Sequence, residues 1–428
     1  MSALATPPRE RAALVGLITR ADQRATVDGH FEELAGLAEA AGAEVVLTVS
    51  QERPRPDPAT FLGRGKIETL AHACAELDVD VVIFDNELTP GQLRHIEKIV
   101  GRKVIDRTQL ILDIFARRAR TREGKLQVEL AQLEYLLPRL VGAGLALSRL
   151  GGGIGTRGPG ETKLETDRRR IRARIHQIKE EIEDVRRRRA QLRERRQKQA
   201  VPTVALVGYT NAGKTTLFNR LTREGAEATD ALFVTLDPLV RRVRLPDRRE
   251  LLISDTVGFI DRLPHTLVAA FRATLEEVAD ADLILHVIDA SSPDRDRHMS
   301  AVHRVLEEVD AIDVPQLHVY NKIDRLDEED RRRLATGDPD ALLVSALTGE
   351  GLDQLLAAIS RHLALDLQRV TLEFDPRSDA DRASVARLYR HARVLRHDET
   401  AERLSIEAEL PRRVLERLQQ ERRHPGTA

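Results

Sequence analysis

The sequence predicts a multidomain α/β protein with four parts: a small parallel α/β domain, an antiparallel helical hairpin, a larger α/β domain and a small α+β domain. Apolar runs of four or five residues alternate with helix-like stretches in two separate regions, 9–106 and 201–365, as in parallel sheets covered by helices. For 201–365 we expect a mostly parallel sheet with helices on both faces. Between these regions, leucine or isoleucine recurs every three or four residues over two long stretches, which is typical of paired helices. A chain of 428 residues is long enough for several domains with their own cores.

The composition is that of a globular protein, with 41% hydrophobic and 32% charged residues. No apolar run has the length of a membrane-spanning helix, and the first residues lack the basic and apolar regions of a secretory leader. The single cysteine, Cys74, excludes an internal disulfide and a cysteine-based metal site. We therefore expect a cytoplasmic protein without a membrane span, and a monomer.

The first region reads as a parallel α/β domain over residues 9–106. Its strand-like runs and its helix-like stretches alternate along the chain. The predicted strands are 14–18, 45–49, 81–84 and 104–106, and the predicted helices lie near 30–41, 65–77 and 90–99.

The second region, residues 107–199, predicts two helices that pack their apolar faces together. One seam consists of Leu126, Leu130, Leu133 and Leu137, and the other of Ile171, Ile175, Ile178, Ile182 and Val185. The joining loop, 151–161, is rich in glycine and contains a G-x-G-x-x-G match. No strand precedes that match and Pro159 follows it, which argues against a dinucleotide-binding turn.

This loop has two interpretations, a flexible linker or a tip that enters an RNA site where the backbone must approach closely. We favour the second, because short helical connections seldom need this many glycines. The following stretch, 168–199, carries 14 Lys and Arg residues against five acids. Aromatic residues are nearly absent there, so contact with a phosphate backbone is more consistent than base stacking. The candidate RNA contacts are Arg157, Arg168, Arg169 and Arg170. A solvated helix face with salt bridges explains the charge equally well.

The third region, 201–365, contains a G-x-x-x-x-G-K-T motif between a buried strand-like run, 204–207, and a helix-like run, 216–221. This motif consists of Gly208, Tyr209, Thr210, Asn211, Ala212, Gly213, Lys214 and Thr215. In such a loop the backbone N–H groups and the helix N-terminus bind phosphates. We expect Lys214 to reach the β- and γ-phosphates and the Thr215 hydroxyl to hold Mg²⁺. A chance glycine-rich turn is the alternative, which the flanking strand and helix disfavour.

A second motif, N-K-x-D in the form Asn321, Lys322, Ile323 and Asp324, indicates which base is bound. The Asp324 carboxylate can accept hydrogen bonds from the N1–H and N2–H₂ groups of guanine, whereas adenine has no donors there. This favours GTP as substrate over ATP and disfavours a P-loop kinase. The next strand-like run, 341–344, is followed directly by Ser345, Ala346 and Leu347, and we expect these residues to contact the guanine edge.

Two segments between these motifs complete the predicted site. The first segment consists of Asp255, Thr256, Val257 and Gly258. We expect Asp255 to hold Mg²⁺ through water and the Gly258 N–H to face the γ-phosphate. In the second, Thr235 is the candidate second Mg²⁺ hydroxyl, in a switch that the γ-phosphate orders; it consists of Phe233, Val234, Thr235, Leu236 and Asp237. An ordinary strand threonine is the alternative for Thr235.

No catalytic residue can be assigned from the sequence. Many GTPases place a Gln after the glycine of the D-x-x-G motif to orient the attacking water, and here that position is Phe259. Because an apolar side chain cannot polarise water, we expect slow intrinsic hydrolysis, with a partner or a backbone group positioning the water.

The last region, 369–428, predicts a small α+β domain without a chemical motif. Its predicted strands are 370–374, 393–396 and 404–409, and its predicted helices are 379–391 and 411–421.

Several of these motifs together resemble the HflX family of ribosome-associated GTPases. The matching runs are 61–66, 106–116, 152–169 and 255–260. The resemblance implies an N-terminal domain that docks on the large (50S) ribosomal subunit, GTP hydrolysis stimulated by the ribosome, and a role in splitting, rescue or biogenesis of ribosomes under stress. The alternative is a GTP-gated assembly or signalling module that binds RNA or protein without splitting ribosomes.

Overall fold

The computed structural model describes most of the chain from residue 9 to residue 415. The described ranges are 9–19, 24–148, 159–198, 201–223, 232–233, 235–236, 239–246, 249–261, 277–338, 340–364, 367–375, 392–400 and 403–411, with residues 378, 381, 385, 388, 389 and 415.

The N-terminal part is a four-stranded parallel sheet in the order β2-β1-β3-β4. The strands are β1 (Glu10–Ile18), β2 (Ala43–Glu52), β3 (Val81–Phe84) and β4 (Lys103–Asp106). The connecting helices are α1 (Arg24–Ala40), α2 (Arg64–Glu76) and α3 (Pro90–Val100). The predicted parallel α/β architecture is thereby confirmed, with helices packed on both faces of the sheet.

The helix α4 (Arg107–Arg118) follows β4 directly and packs on this sheet. Its residues Ile111 and Phe115 lie in the same core cluster as Leu14 of β1 and Leu34 of α1. The predicted boundary after residue 106 therefore separates a helix from the sheet that buries it. The apolar face of α4 could pack on the N-terminal sheet or on the helical hairpin, and the sequence does not distinguish these two possibilities. Only the tertiary structure shows that α4 packs on the sheet.

The helical hairpin consists of α5 (Arg122–Ser148) and α6 (Pro159–Lys198). The two predicted seams meet in one buried cluster. It contains Leu126, Leu130, Ile175, Ile178 and Ile182, with Leu133, Leu137 and Ile171 packed against it. The predicted loop 151–161 is too long at its end, because α6 begins at Pro159, and proline is favoured in a first helical turn. Residues 149–158, including Arg157, lie outside the described residues.

The central sheet has six strands in the order β10-β9-β8-β5-β7-β6, and only β6 runs antiparallel to its neighbour. The strands are β5 (Thr203–Val207), β6 (Leu239–Arg244), β7 (Glu250–Asp255), β8 (Leu283–Asp289), β9 (Gln316–Asn321) and β10 (Leu342–Leu343). The helices are α7 (Lys214–Thr222), α8 (Arg295–Glu308), α9 (Glu328–Gly337) and α10 (Leu352–Ala364).

The helices cover both faces of this central sheet, as predicted. Leu217 of α7 and Leu355 of α10 pack on one face, and Val302 and Leu306 of α8 pack on the other. Because β5, β7, β8 and β9 run parallel, their carboxyl ends lie at the same edge of the sheet. Parallel α/β sheets bind their ligands at this edge.

The C-terminal part is an antiparallel sheet in the order β11-β13-β12, formed by β11 (Leu367–Phe374), β12 (Arg393–Glu399) and β13 (Leu404–Pro411). All three predicted strands are present. The predicted helices 379–391 and 411–421 lie largely outside the described residues. The described part of the chain contains no helix that could span a membrane.

Candidate nucleotide-binding site

The glycine-rich loop 208–215 joins β5 to α7 in a conformation that requires glycine at two positions. Gly208 has a φ of +152°, and a Cβ there would lie 2.2 Å from the carbonyl oxygen of Val287. Gly213 has a φ of +92°, and its Cβ would lie 2.2 Å from Nδ2 of Asn321. With the helix beginning at Lys214, the loop presents backbone N–H groups and a helix N-terminus at the end of the sheet, an arrangement suited to anions.

Lys214, the lysine of the phosphate-binding loop, is buried. Its Nζ donates to the carbonyl oxygens of Gly208 (3.0 Å) and Tyr209 (2.9 Å). Burial lowers the pKa of Lys214 to about 8, although Asp255 opposes that effect. The ammonium group therefore lies in a site where a phosphate would be a stronger partner than the two neutral carbonyls.

The three residues predicted to surround Mg²⁺ converge. The Thr215 and Thr235 hydroxyls lie 2.8 and 3.0 Å from Oδ2 of Asp255, and 2.7 Å from each other. Burial raises the pKa of Asp255, and its Oδ1 is a buried atom without a hydrogen-bond partner in the described part of the chain. Leu232 and Phe233 lie in a turn, and Thr235 and Leu236 lie outside any regular strand. Val234 and Asp237 lie outside the described residues.

The D-x-x-G segment contacts the phosphate loop through its backbone. A Cβ on Gly258 would lie 2.9 Å from Cα of Thr210 and 3.2 Å from Nζ of Lys214. Phe259 is 2% exposed and packs in the core, while its N–H donates to the Gly208 carbonyl (3.1 Å) and its carbonyl accepts from the Thr210 N–H (2.6 Å). Thr256 donates to the Leu206 carbonyl, and Val257 is buried. The Phe259 side chain thus holds the segment in place and offers no polar group to water.

The base-recognition residues form a hydrogen-bonded frame around the end of β9. Asn321 donates from Nδ2 to the Ala212 carbonyl and accepts at Oδ1 from the Ala346 N–H, both at 2.9 Å. Asp324 accepts at Oδ1 from the Ser345 hydroxyl at 2.6 Å. Ile323 is buried beneath the frame, and Leu347 is 69% exposed at its rim. These bonds join the phosphate loop, the N-K-x-D motif and the segment after β10 into one unit.

Sequence reasoning missed two residues of this frame, Asp289 and Arg220. Lys322 forms an ion pair with Asp289 at the end of β8, at 2.7 Å. Arg220 of α7 donates to the carbonyl oxygens of Ala346 and Leu347. Asp289 ends a strand in the same way as Asp255, and that position was a usable signal. Arg220 has no comparable signal, because it looks like any exposed helix arginine.

A buried polar network joins this site to the N-terminal sheet. Glu33 of α1 accepts hydrogen bonds from Tyr209 of the phosphate loop and from Arg107 at the start of α4. Arg107 also donates to Asp85 (3.0 Å) and to the Asp261 carbonyl (3.2 Å), and the Asp261 N–H donates to the Tyr209 hydroxyl (2.8 Å). Burial would lower the pKa of Arg107, but Glu33 and Asp85 outweigh it and raise the pKa.

Apolar contacts accompany this network. The Phe115 ring of α4 meets the Phe233 ring edge-on, with centroids 4.8 Å apart. Leu236 and Val257 lie in the same cluster. Both segments that would sense the γ-phosphate therefore pack on the N-terminal sheet.

Three of the four candidate RNA contacts lie in the described part of the chain. Arg168, Arg169 and Arg170 lie on α6, and Arg170 is 3.7 Å from Asp167. Further along α6, Arg174 binds both carboxylate oxygens of Glu129 on α5 at 2.7 and 2.8 Å. Lys179 pairs with Glu134 at 2.9 Å. Part of the basic stretch is thus used in ion pairs across the hairpin, as the salt-bridge interpretation expects.

Three family models match consecutive parts of the chain. Residues 28–116 match the model described as GTP-binding GTPase N-terminal, and residues 118–196 match GTP-binding GTPase Middle Region. Residues 203–322 match the model described as 50S ribosome-binding GTPase.

Known proteins match over nearly the whole chain. The GTPase HflX of Caldanaerobacter subterraneus is 47% identical over 96% of this chain and 93% of its own length. The GTPase HflX of Escherichia coli K12 is 49% identical over 81% of this chain and 82% of its own length. Among solved structures, the SsGBP–GDP complex is 25% identical, with a TM-score of 0.46, over 82% of this chain and 98% of that one.

Proposed function

This chain belongs to the HflX family of GTPases, and we therefore propose that it binds the large ribosomal subunit and uses GTP hydrolysis to act on it. The chain is a GTP-binding, GTP-hydrolysing enzyme as a member of that family. The observation that carries the proposal is the buried network of Glu33, Arg107 and Tyr209, which joins the phosphate loop to the N-terminal sheet. The Phe233 ring next to Thr235 packs on Phe115 of α4 beside it. A partner bound to the N-terminal domain can influence the nucleotide site through these contacts.

Mg²⁺ is the ion that fits the oxygen cluster. The donors are two hydroxyls and a carboxylate, which are hard ligands of the kind Mg²⁺ prefers, and the orphan Oδ1 of Asp255 can bind a water of its hydration shell. In the proposed site, Thr215 and Thr235 hold the ion directly and Asp255 holds it through water. When bound, Mg²⁺ neutralises charge on the β- and γ-phosphates.

The proposed partner is the large subunit, reached through ribosomal RNA and proteins. Support comes from the family model matched by residues 203–322, whose description is 50S ribosome-binding GTPase. We propose that GTP hydrolysis on the large subunit leads to splitting, rescue or biogenesis of ribosomes under stress. We further propose that the protein is a cytoplasmic monomer. Its proposed domains are those predicted from the sequence, except that α4 belongs to the N-terminal domain.

Co-sedimentation with purified large subunits tests the ribosomal part of the proposal. Binding is expected with a non-hydrolysable GTP analogue and much less with GDP. Because Phe259 offers no polar group, single-turnover hydrolysis is expected to be slow with protein alone and faster with subunits. Equal binding in both nucleotide states, or no stimulation by subunits, would favour the GTP-gated assembly or signalling module.

Asp324→Asn is expected to weaken GTP binding and transfer preference towards xanthine nucleotides. The amide can donate to the xanthine O2 but cannot accept from both guanine donors. Loss of a matched hydrogen-bonding group in such a pocket costs roughly 1.5–3 kcal/mol, or about 10- to 100-fold in affinity. Fluorescence titration with labelled GTP, GDP and XTP measures it. Asp340→Asn, on an exposed aspartate between α9 and β10, is the matched control, and unchanged GTP affinity in Asp324→Asn would refute the base assignment.

A loop exchange distinguishes the two interpretations of the glycine-rich segment. Replacing 151–158 with a Gly/Ser linker of equal length hardly changes loop-closure entropy, so folding and intrinsic hydrolysis should persist. If the segment enters ribosomal RNA, subunit-stimulated hydrolysis and splitting should be lost. Arg157→Ala alone should weaken subunit binding and reduce the salt-dependence slope by about one unit. Normal splitting by the exchanged protein would identify the segment as a linker.

A further inference from the structure

Three histidines lie together on the face of the central sheet that α8 covers. His286 of β8 and His318 of β9 are register partners on neighbouring parallel strands, and His303 lies on α8. One ring nitrogen from each histidine can be chosen so that all three lie within 4.8 Å of one another. None of these residues belongs to the nucleotide site described above.

His286 is the buried member of this group. It is 1% exposed, and its Nδ1 has no hydrogen-bond partner in the part of the chain that the structure describes. A neutral imidazole offers a lone pair, and a buried polar atom without a partner costs free energy unless something binds it.

His318 has a partner that would orient it. Its Nδ1 lies 3.2 Å from Oδ2 of Asp338, which also accepts from the Tyr320 hydroxyl at 3.4 Å. When Nδ1 donates to that carboxylate, the lone pair of the ring is on Nε2. A carboxylate behind a histidine in this way is the usual outer support of a metal-ligating imidazole.

We propose that His286, His303 and His318 bind a divalent transition metal, with Zn²⁺ as the ion and water in the fourth position. Imidazole nitrogen suits Zn²⁺, whereas Mg²⁺ prefers oxygen, so this site and the Thr215–Asp255 cluster select different ions. Around a tetrahedral ion with Zn–N distances of about 2.0–2.1 Å, the nitrogens lie about 3.4 Å apart. The partly exposed His303 and His318 side chains can close that difference by small rotations.

The position of the site gives the ion a structural consequence. Zn²⁺ would link β8, β9 and α8, and His286 directly precedes Val287, whose carbonyl oxygen faces Gly208 of the phosphate loop. Binding to the folded chain raises the unfolding temperature by linkage. We therefore expect stabilisation by Zn²⁺ that added Mg²⁺ does not reproduce.

Calorimetric titration of the full, tag-free chain with ZnCl₂ tests the site, with the visible absorption of bound Co²⁺ as a second readout. One Zn²⁺ per chain is expected. His303→Ala and His318→Ala should each weaken binding at least about tenfold, and Asp338→Asn by about 10- to 100-fold. His176→Ala, on a 77% exposed histidine of α6, is the matched control and should leave binding unchanged.

His286→Ala is not the decisive variant, because it opens a cavity in the core. Circular dichroism of the His303 and His318 variants establishes that they fold. Absence of stoichiometric Zn²⁺ binding to the parent chain, or undiminished binding in both folded variants, would overturn the proposal.

Discussion

Lys214→Ala is expected to reduce GTP hydrolysis by about 10²- to 10³-fold, with a marked loss of nucleotide affinity. The side chain is the cation at the β- and γ-phosphates in the proposed site, and the surrounding low dielectric makes a point charge there effective. Among the described residues, its Nζ donates to the carbonyl oxygens of Gly208 and Tyr209. Removing it leaves no other lysine among the phosphate-loop residues to take over.

Single-turnover hydrolysis and nucleotide titration measure this effect separately. Lys98→Ala, on an exposed lysine in the last turn of α3, is the control for loss of a surface charge and should match the parent. A thermal melt of the Lys214 variant shows that the loop still folds. Parent-like turnover in a folded Lys214→Ala protein would remove the phosphate-loop assignment.

Arg107→Ala is expected to lower the free energy of unfolding by about 3–5 kcal/mol, because it leaves buried carboxylates without their cation. Its side chain is 6% exposed and pairs with Glu33 and Asp85, each 9% exposed. Arg107→Lys should rescue little, because one ammonium cannot reproduce the planar fork that reaches both carboxylates and the Asp261 carbonyl.

Urea unfolding followed by circular dichroism measures this loss. The control is Arg64→Ala: its side chain is 86% exposed and pairs with Glu68 at 3.1 Å, so its removal should cost within about 0.5 kcal/mol. If the Arg107 and Arg64 variants were equally stable, the buried network would not hold the N-terminal sheet to the nucleotide site.

The nucleotide motifs and the strands of the N-terminal and C-terminal sheets were readable from the sequence because they are local, whereas β6 and β8 of the central sheet were not predicted. A buried strand followed by glycines, lysine and threonine specifies a turn whose backbone geometry those few residues fix. The hairpin seams were readable for the same reason, since a repeat of three and four residues places Leu126 and Leu130 on one helix face. The end of the glycine-rich loop was not, because Pro159 is compatible with a loop or with a first helical turn.

The sequence by itself determined the fold class, the family and the residues of the candidate GTP site, including the position where Phe259 replaces the usual polar side chain. Only the tertiary structure decided that α4 packs on the N-terminal sheet, that Glu33 and Arg107 reach Tyr209, and that His286, His303 and His318 meet. The physical reason is sequence separation: Glu33 and Tyr209 are 176 residues apart. No local periodicity or backbone preference couples residues at such distances, and their contact follows only from how the two sheets pack.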